Sequence, residues 1–127
     1  MSEIKDQVPS SLVDYLKEEL GQPLRSVTIY DSKGFQDLFV RDDVFNEYSV
    51  EEEYELYHEW VMNSSSASLH EESFNAGEYR AQVQVFEAAV TILIPISETG
   101  GLFIAYDYST NVSAVSLIEN CLDHLNN

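Results

Sequence analysis

Residues 88–96 read AAVTILIPI, almost continuously apolar and without a charge. The run is far short of the roughly 20 residues a membrane helix needs, and Pro95 near its end would interrupt a helix. A short apolar run of this kind fits a strand buried on both faces. Such a strand needs cover above and below its sheet, so the rest of the chain must supply both layers.

The strand's partners are legible nearby. Residues 24–44, LRSVTIYDSKGFQDLFVRDDV, place β-branched and aromatic residues on either side of Asp31-Ser32-Lys33-Gly34, the pattern of an antiparallel hairpin. Val27 and Ile29 alternate with Ser26, Thr28 and Tyr30, so at least one face of the first strand meets a core. From Glu78 the period is again two: Tyr79, Ala81, Val83 and Val85 alternate with Arg80, Gln82 and Gln84, which predicts a half-buried strand over 79–86. Ser97-Glu98-Thr99-Gly100-Gly101 is a turn into a last strand over 102–106.

Helical periodicity fills the remainder. Leu12, Val13, Tyr15, Leu16 and Leu20 predict a first helix over about 10–20, stopped by Gly21 and Pro23. VEEEYELYHEWVM, from Val50, carries Val50, Tyr54, Tyr57 and Val61 on one stripe, with Ser49 and Glu52 spaced as a capping box. The serine-rich stretch after it, to about Gly77, has the composition of a polar loop. A closing helix begins near Asn111, with Val112, Val115, Ile118 and Leu122 along one side. The expected fold is a single α+β domain over 1–127, ordered α-β-β-α-β-β-β-α, with a five-stranded antiparallel sheet and helices on both faces.

Charge narrows the setting. Asp plus Glu number 23 against 6 Lys plus Arg, a formal net charge of −17. Like charge on this scale opposes compaction at low salt, whereas molar salt shortens the Debye length to roughly 3 Å. The balance suits a solvated surface adapted to high salt, excludes a phosphate-binding face built from clustered Lys and Arg, and leaves mimicry of nucleic acid as a remote option. One cysteine, Cys121, forms no internal disulfide, and the amino end does not resemble a leader, so the expected location is the cytoplasm.

Chemistry-bearing motifs are sparse. Glu55-x-x-His58 has the i, i+3 spacing of carboxylate-bridged metal bundles, yet such a centre needs a second copy and two further glutamates, so no metal is expected. His70-Glu71-Glu72 and His124 stand isolated, and Cys121 falls on an apolar helix side as a packed, inert thiol. Thr99-Gly100-Gly101 precedes a strand and lacks the Lys-Ser/Thr of a phosphate loop. No catalytic residue, metal or cofactor is expected.

The candidate surface is aromatic. Tyr54, Tyr57 and Trp60, with Val50, Leu56 and Val61, cover more of their helix than one stripe, so Leu56 and Trp60 could meet a partner chain. The 79–86 strand has no proline and one charge, Arg80, which is weak protection for a sheet edge. The expected interface therefore comprises Tyr54, Tyr57, Trp60, Tyr79, Arg80, Val83 and Val85.

The hairpin, with Val40-Arg41-Asp42-Asp43 at its end, the later Glu78-Tyr79-Arg80 strand and SETGGLFIAYD together resemble an uncharacterised family of small acidic haloarchaeal proteins. The element order is similar to that of roadblock and longin-like regulatory domains. That resemblance implies a third strand at a sheet edge, pairing with its copy in a dimer, with the central helix beside it. The expected function is a non-catalytic, halophilic regulatory or adapter module, homodimeric or bound to a partner protein, without nucleic acid or membrane. The alternative is a small-molecule sensor holding a ligand between the sheet and the central helix.

Overall fold

The strand over 88–96 does lie inside a sheet with helices on both faces. The structure, a computed structural model, describes residues 8–126; residues 1–7, part of the amino end read above as carrying no leader, and 127 lie outside it. The elements are α1 (Ser10–Leu20), β1 (Leu24–Asp31), β2 (Gly34–Val40), α2 (Asp42–Phe45), α3 (Val50–Ser65), α4 (Ala67–Phe74), β3 (Gln82–Val85), β4 (Ala89–Pro95), β5 (Gly101–Asp107) and α5 (Ala114–Leu125). All strand pairs are antiparallel, and the sheet runs β2-β1-β5-β4-β3.

Alternation along the strands sorts two cores. Val27, Ile29, Val90, Ile92, Ile94, Leu102 and Ile104 face one side, where α1 contributes Leu12, Leu16 and Leu20 and α5 contributes Leu117 and Cys121. Each fully buried leucine there stabilises the fold by about 1.5–3 kcal/mol relative to exposure. On the other side Tyr30 and Leu93 pack with Tyr57 and Trp60 of α3. Gly21, at φ 63, ends α1 and returns its amide to the Lys17 carbonyl at 2.9 Å, the stop expected of a glycine that can turn left-handed.

Four local expectations are corrected. The 63–77 stretch is no loop: α3 continues to Ser65 and α4 follows after a break at Ser66, ending at Asn75 with φ 54. Up to Ser65 the serines are accommodated in the helix: Ser65 Oγ donates to the Val61 carbonyl at 3.0 Å, and Ser64 shares a hydrogen bond with the Tyr30 hydroxyl. Strand β3 covers Gln82–Val85 instead of 79–86, because the Tyr79 amide donates to the Glu71 carboxylate at 2.8 Å and its ring stacks on His70, tying it to α4. In α3 the buried residues are Tyr57, Trp60 and Ser64, whereas Val50 and Tyr54 are exposed, Tyr54 against Phe35 of β2. In α5 it is Leu117 and Cys121 that are buried and Val115 that is exposed.

Candidate interaction surface

Helix α3 begins where its capping box predicts. Ser49 Oγ accepts the Glu52 amide at 3.2 Å, and the Glu52 carboxylate accepts the Ser49 amide at 3.1 Å. These bonds satisfy two amides that a helix start leaves orphaned, and Glu51, Glu52 and Glu53 complement the positive end of its dipole. The helix lies across the strands. Tyr54 and Tyr57 pack on Phe35 of β2, while Asn63 donates to the Gln82 side chain of β3 at 2.9 Å.

Of the aromatic residues of α3 predicted for an interface, two are taken up by the chain itself. Trp60 is 8% exposed and stacks on Phe103 with ring centroids 4.5 Å apart. Tyr57 is equally buried and donates its hydroxyl to the Asp31 carbonyl. The placement of Trp60 off the buried stripe is thus corrected: β1, β4 and β5 present Tyr30, Leu93 and Phe103 to that side of the helix. Tyr54 is 54% exposed, and Glu55 and His58 also face outward on α3.

At the sheet edge the predicted residues divide again. Among the described residues β3 pairs only with β4, and Val83 and Val85 are 39% and 64% exposed. The Phe86 amide donates to the Ala89 carbonyl at 2.7 Å, so by the alternation of an antiparallel ladder the Val83 and Val85 amides point away from β4, toward the open edge. Tyr79 is held by α4, as above, and Arg80 lines a separate pocket together with Glu119 and Asp123 of α5. Neither is part of the Val83–Val85 edge.

A feature without a sequence signal lies beside α3. Registry aligns two rows of side chains across the sheet on this face. Asp37, Thr28, Phe103, Leu93 and Gln82 form the row nearer α3. Val40, Ser26, Ala105, Thr91 and Gln84 form the next, and that row floors a cavity of about 900 Å³. Leu56, Trp60 and Met62 form its α3 wall, and Phe45, Tyr48 and Phe86 its far rim. Period-two patterning shows which residues share a face; it does not show how far a helix will cover them.

One end of this groove is braced by ions. Arg41 donates to both Asp107 oxygens at 2.8 and 3.2 Å and to Asp43, while Arg25 reaches Glu47 at 2.9 Å and Asp107 at 3.3 Å. The hydrogen bond from Arg41, assisted by Arg25, holds the Asp107 carboxyl below the usual carboxylate range. A carboxylate whose folded pKa is depressed contributes stability above its unfolded pKa and loses it as pH falls through the folded value. Acidification from about pH 5 to about pH 3 should therefore destabilise the wild type more than Asp107→Asn. Equal differences in urea midpoint between those pH values would exclude this contribution.

Elsewhere burial removes reactivity. It pushes the Cys121 thiol up to about 12, and the Tyr30 phenol, sharing a 2.6 Å hydrogen bond with Ser64, to about 12 as well. Among the described residues no helix is long and apolar enough to cross a membrane.

Two solved structures share the architecture. Myxococcus xanthus MglB aligns with a TM-score of 0.64 at 15% identity, over 98% of this chain and 94% of that one. A structure described as MglB with tetrameric arrangement gives 0.60 at 12% identity, over 98% and 86%. At such identity the likeness is one of fold, the roadblock and longin-like fold. No curated protein matches the sequence. The family described as a domain of unknown function, DUF7522, matches residues 10–126, and this chain belongs to it.

Proposed function

We propose that this chain is a non-catalytic regulatory adapter, working in the cytoplasm at high salt and assembling with a second copy through the edge of β3. The observation that carries the reading is the pair of outward amides at Val83 and Val85 beside exposed valine side chains on an edge free of proline and charge. Strand addition at such an edge supplies main-chain hydrogen bonds, with alternate side chains giving specificity. The tetrameric arrangement described for MglB supports assembly as a use of this fold.

Sedimentation in molar KCl is expected to give a dimer, with the Val83 and Val85 amides protected from exchange. Val85→Pro removes an outward amide and no bond to β4, so it should yield a monomer with unchanged secondary structure. A wild-type monomer at every concentration, with fast exchange at both amides and no protection by an added protein, would overturn the reading. The charge of −17 carries a further expectation: the thermal midpoint rises as KCl is raised from about 0.1 M to about 1 M, as the Debye length falls from roughly 10 to roughly 3 Å.

The cavity of about 900 Å³ favours a second reading, a sensor for a metabolite held between the sheet and α3. A ligand at 100 times its dissociation constant would add about 2.7 kcal/mol of stability, visible as a thermal shift in a metabolite screen.

A further inference from the structure

The two faces of the sheet are unequally covered. One face carries α1 and α5 over large residues such as Val27, Ile104 and Ile92. The other carries α3 over the Phe103–Leu93 row, while the adjacent row is built from the smaller Ser26, Ala105 and Thr91 and floors the groove. Five strands span four spacings of about 4.8 Å, roughly 19 Å, which is the length of about 13 helical residues. An α-helix with its side chains is about 10 Å across, so a helix laid beside α3 would give this face the pair that the other already has.

We propose that this groove receives one amphipathic helix of a partner protein, with apolar residues toward the floor and Lys or Arg along its flanks. The proposal rests on the adapter reading and specifies the partner's chemistry. The groove is open above its floor: Met62 on the α3 wall is 72% exposed, and Phe45 and Phe86 on the far rim are exposed as well. A metabolite in the cavity would leave Met62, Phe45 and Phe86 uncovered, whereas a helix would cover them as well as the floor. Charge selects the flanks. Asp37, Glu53 and Glu59 lie around the groove, and Arg25, the one cation lining it among the described residues, is already paired with Glu47 and Asp107. Glu53 and Glu59 have no ion-pair partner among the described residues. Among the described residues the helices hold one basic residue of the Lys or Arg type, Lys17, so none of these helices in a second copy matches this rim.

Trp60 is the chain's one tryptophan and forms part of the groove wall, so its emission reports occupancy. The probe is a capped Leu/Lys peptide of about 14 residues, with leucines at i, i+3 and i+4 and no tryptophan. In molar KCl, where diffuse attraction is screened, it should bind one per chain, gain helicity and shift the Trp60 emission. Ala105→Phe, which fills the floor, should weaken binding by roughly tenfold or more, and Thr91→Phe, at the neighbouring and more exposed floor position, should repeat the loss. Val85→Pro should bind as the wild type does.

Equal binding by both floor variants, equal binding of a Leu/Glu peptide, or a Trp60 response to a metabolite with none to the peptide would overturn the proposal. So would loss of self-association in the floor variants, which would make the groove an interface between copies. A wild-type monomer that binds the peptide would instead overturn the β3 dimer alone.

Discussion

Trp60→Ala is expected to lower the unfolding free energy by about 3–5 kcal/mol, the range for removing a buried tryptophan from a close-packed site. Its ring stacks on Phe103 and meets Tyr30 and Phe35 at centroid distances of 5.6 and 6.3 Å. Alanine would forfeit those aromatic contacts and leave a cavity joined to the groove. The loss should appear in urea midpoints followed by circular dichroism at fixed salt, since the variant has no tryptophan. A small stability change accompanied by dissociation of an assembly would return Trp60 to the interface assigned to it from sequence.

Gly101→Ala should destabilise by about 1–3 kcal/mol, the cost of forcing a methyl group into a packed site. A Cβ there would lie 2.4 Å from the Ile94 carbonyl oxygen and 2.7 Å from the Tyr30 hydroxyl. Tyr30 is buried and bonded to Ser64, and the Ile94 oxygen belongs to the neighbouring strand, so neither moves aside freely. Adding Tyr30→Phe should recover only part of the loss, because the carbonyl contact remains. A double-mutant cycle measures that coupling, and full stability in the single Gly101→Ala variant would refute the steric account. From sequence Gly101 ends a turn; in the fold it is the first residue of β5, paired with Tyr30 and Pro95.

The two substitutions mark where local pattern stops being informative. Ser49 and Glu52 cap α3 through contacts three residues apart, the link at 31–34 turns the hairpin, and Leu12, Leu16 and Leu20 bury one helix face. Each follows from backbone chemistry or from a period within one element. The serine-rich stretch reads as a loop by composition, yet Ser64 and Ser65 lie in α3, where their hydroxyls find partners in the Val61 carbonyl of the helix and in Tyr30 and Glu98 beyond it. Tyr79 and Arg80 continue the period of β3, yet contacts to α4 and the neighbourhood of α5 claim them.

By itself the sequence determined the α+β class, the hairpin, the apolar β4 strand, the α3 cap and the charge, because all of these depend on neighbours along the chain or on composition. Only the tertiary structure decided which stripe of α3 is buried, which residues of 79–86 remain at the open edge, and that a row of small residues floors a groove. Those outcomes depend on strand registry and on which side chains a neighbouring element presents, as Phe103 presents a stacking surface to Trp60, and no period within a single element encodes them.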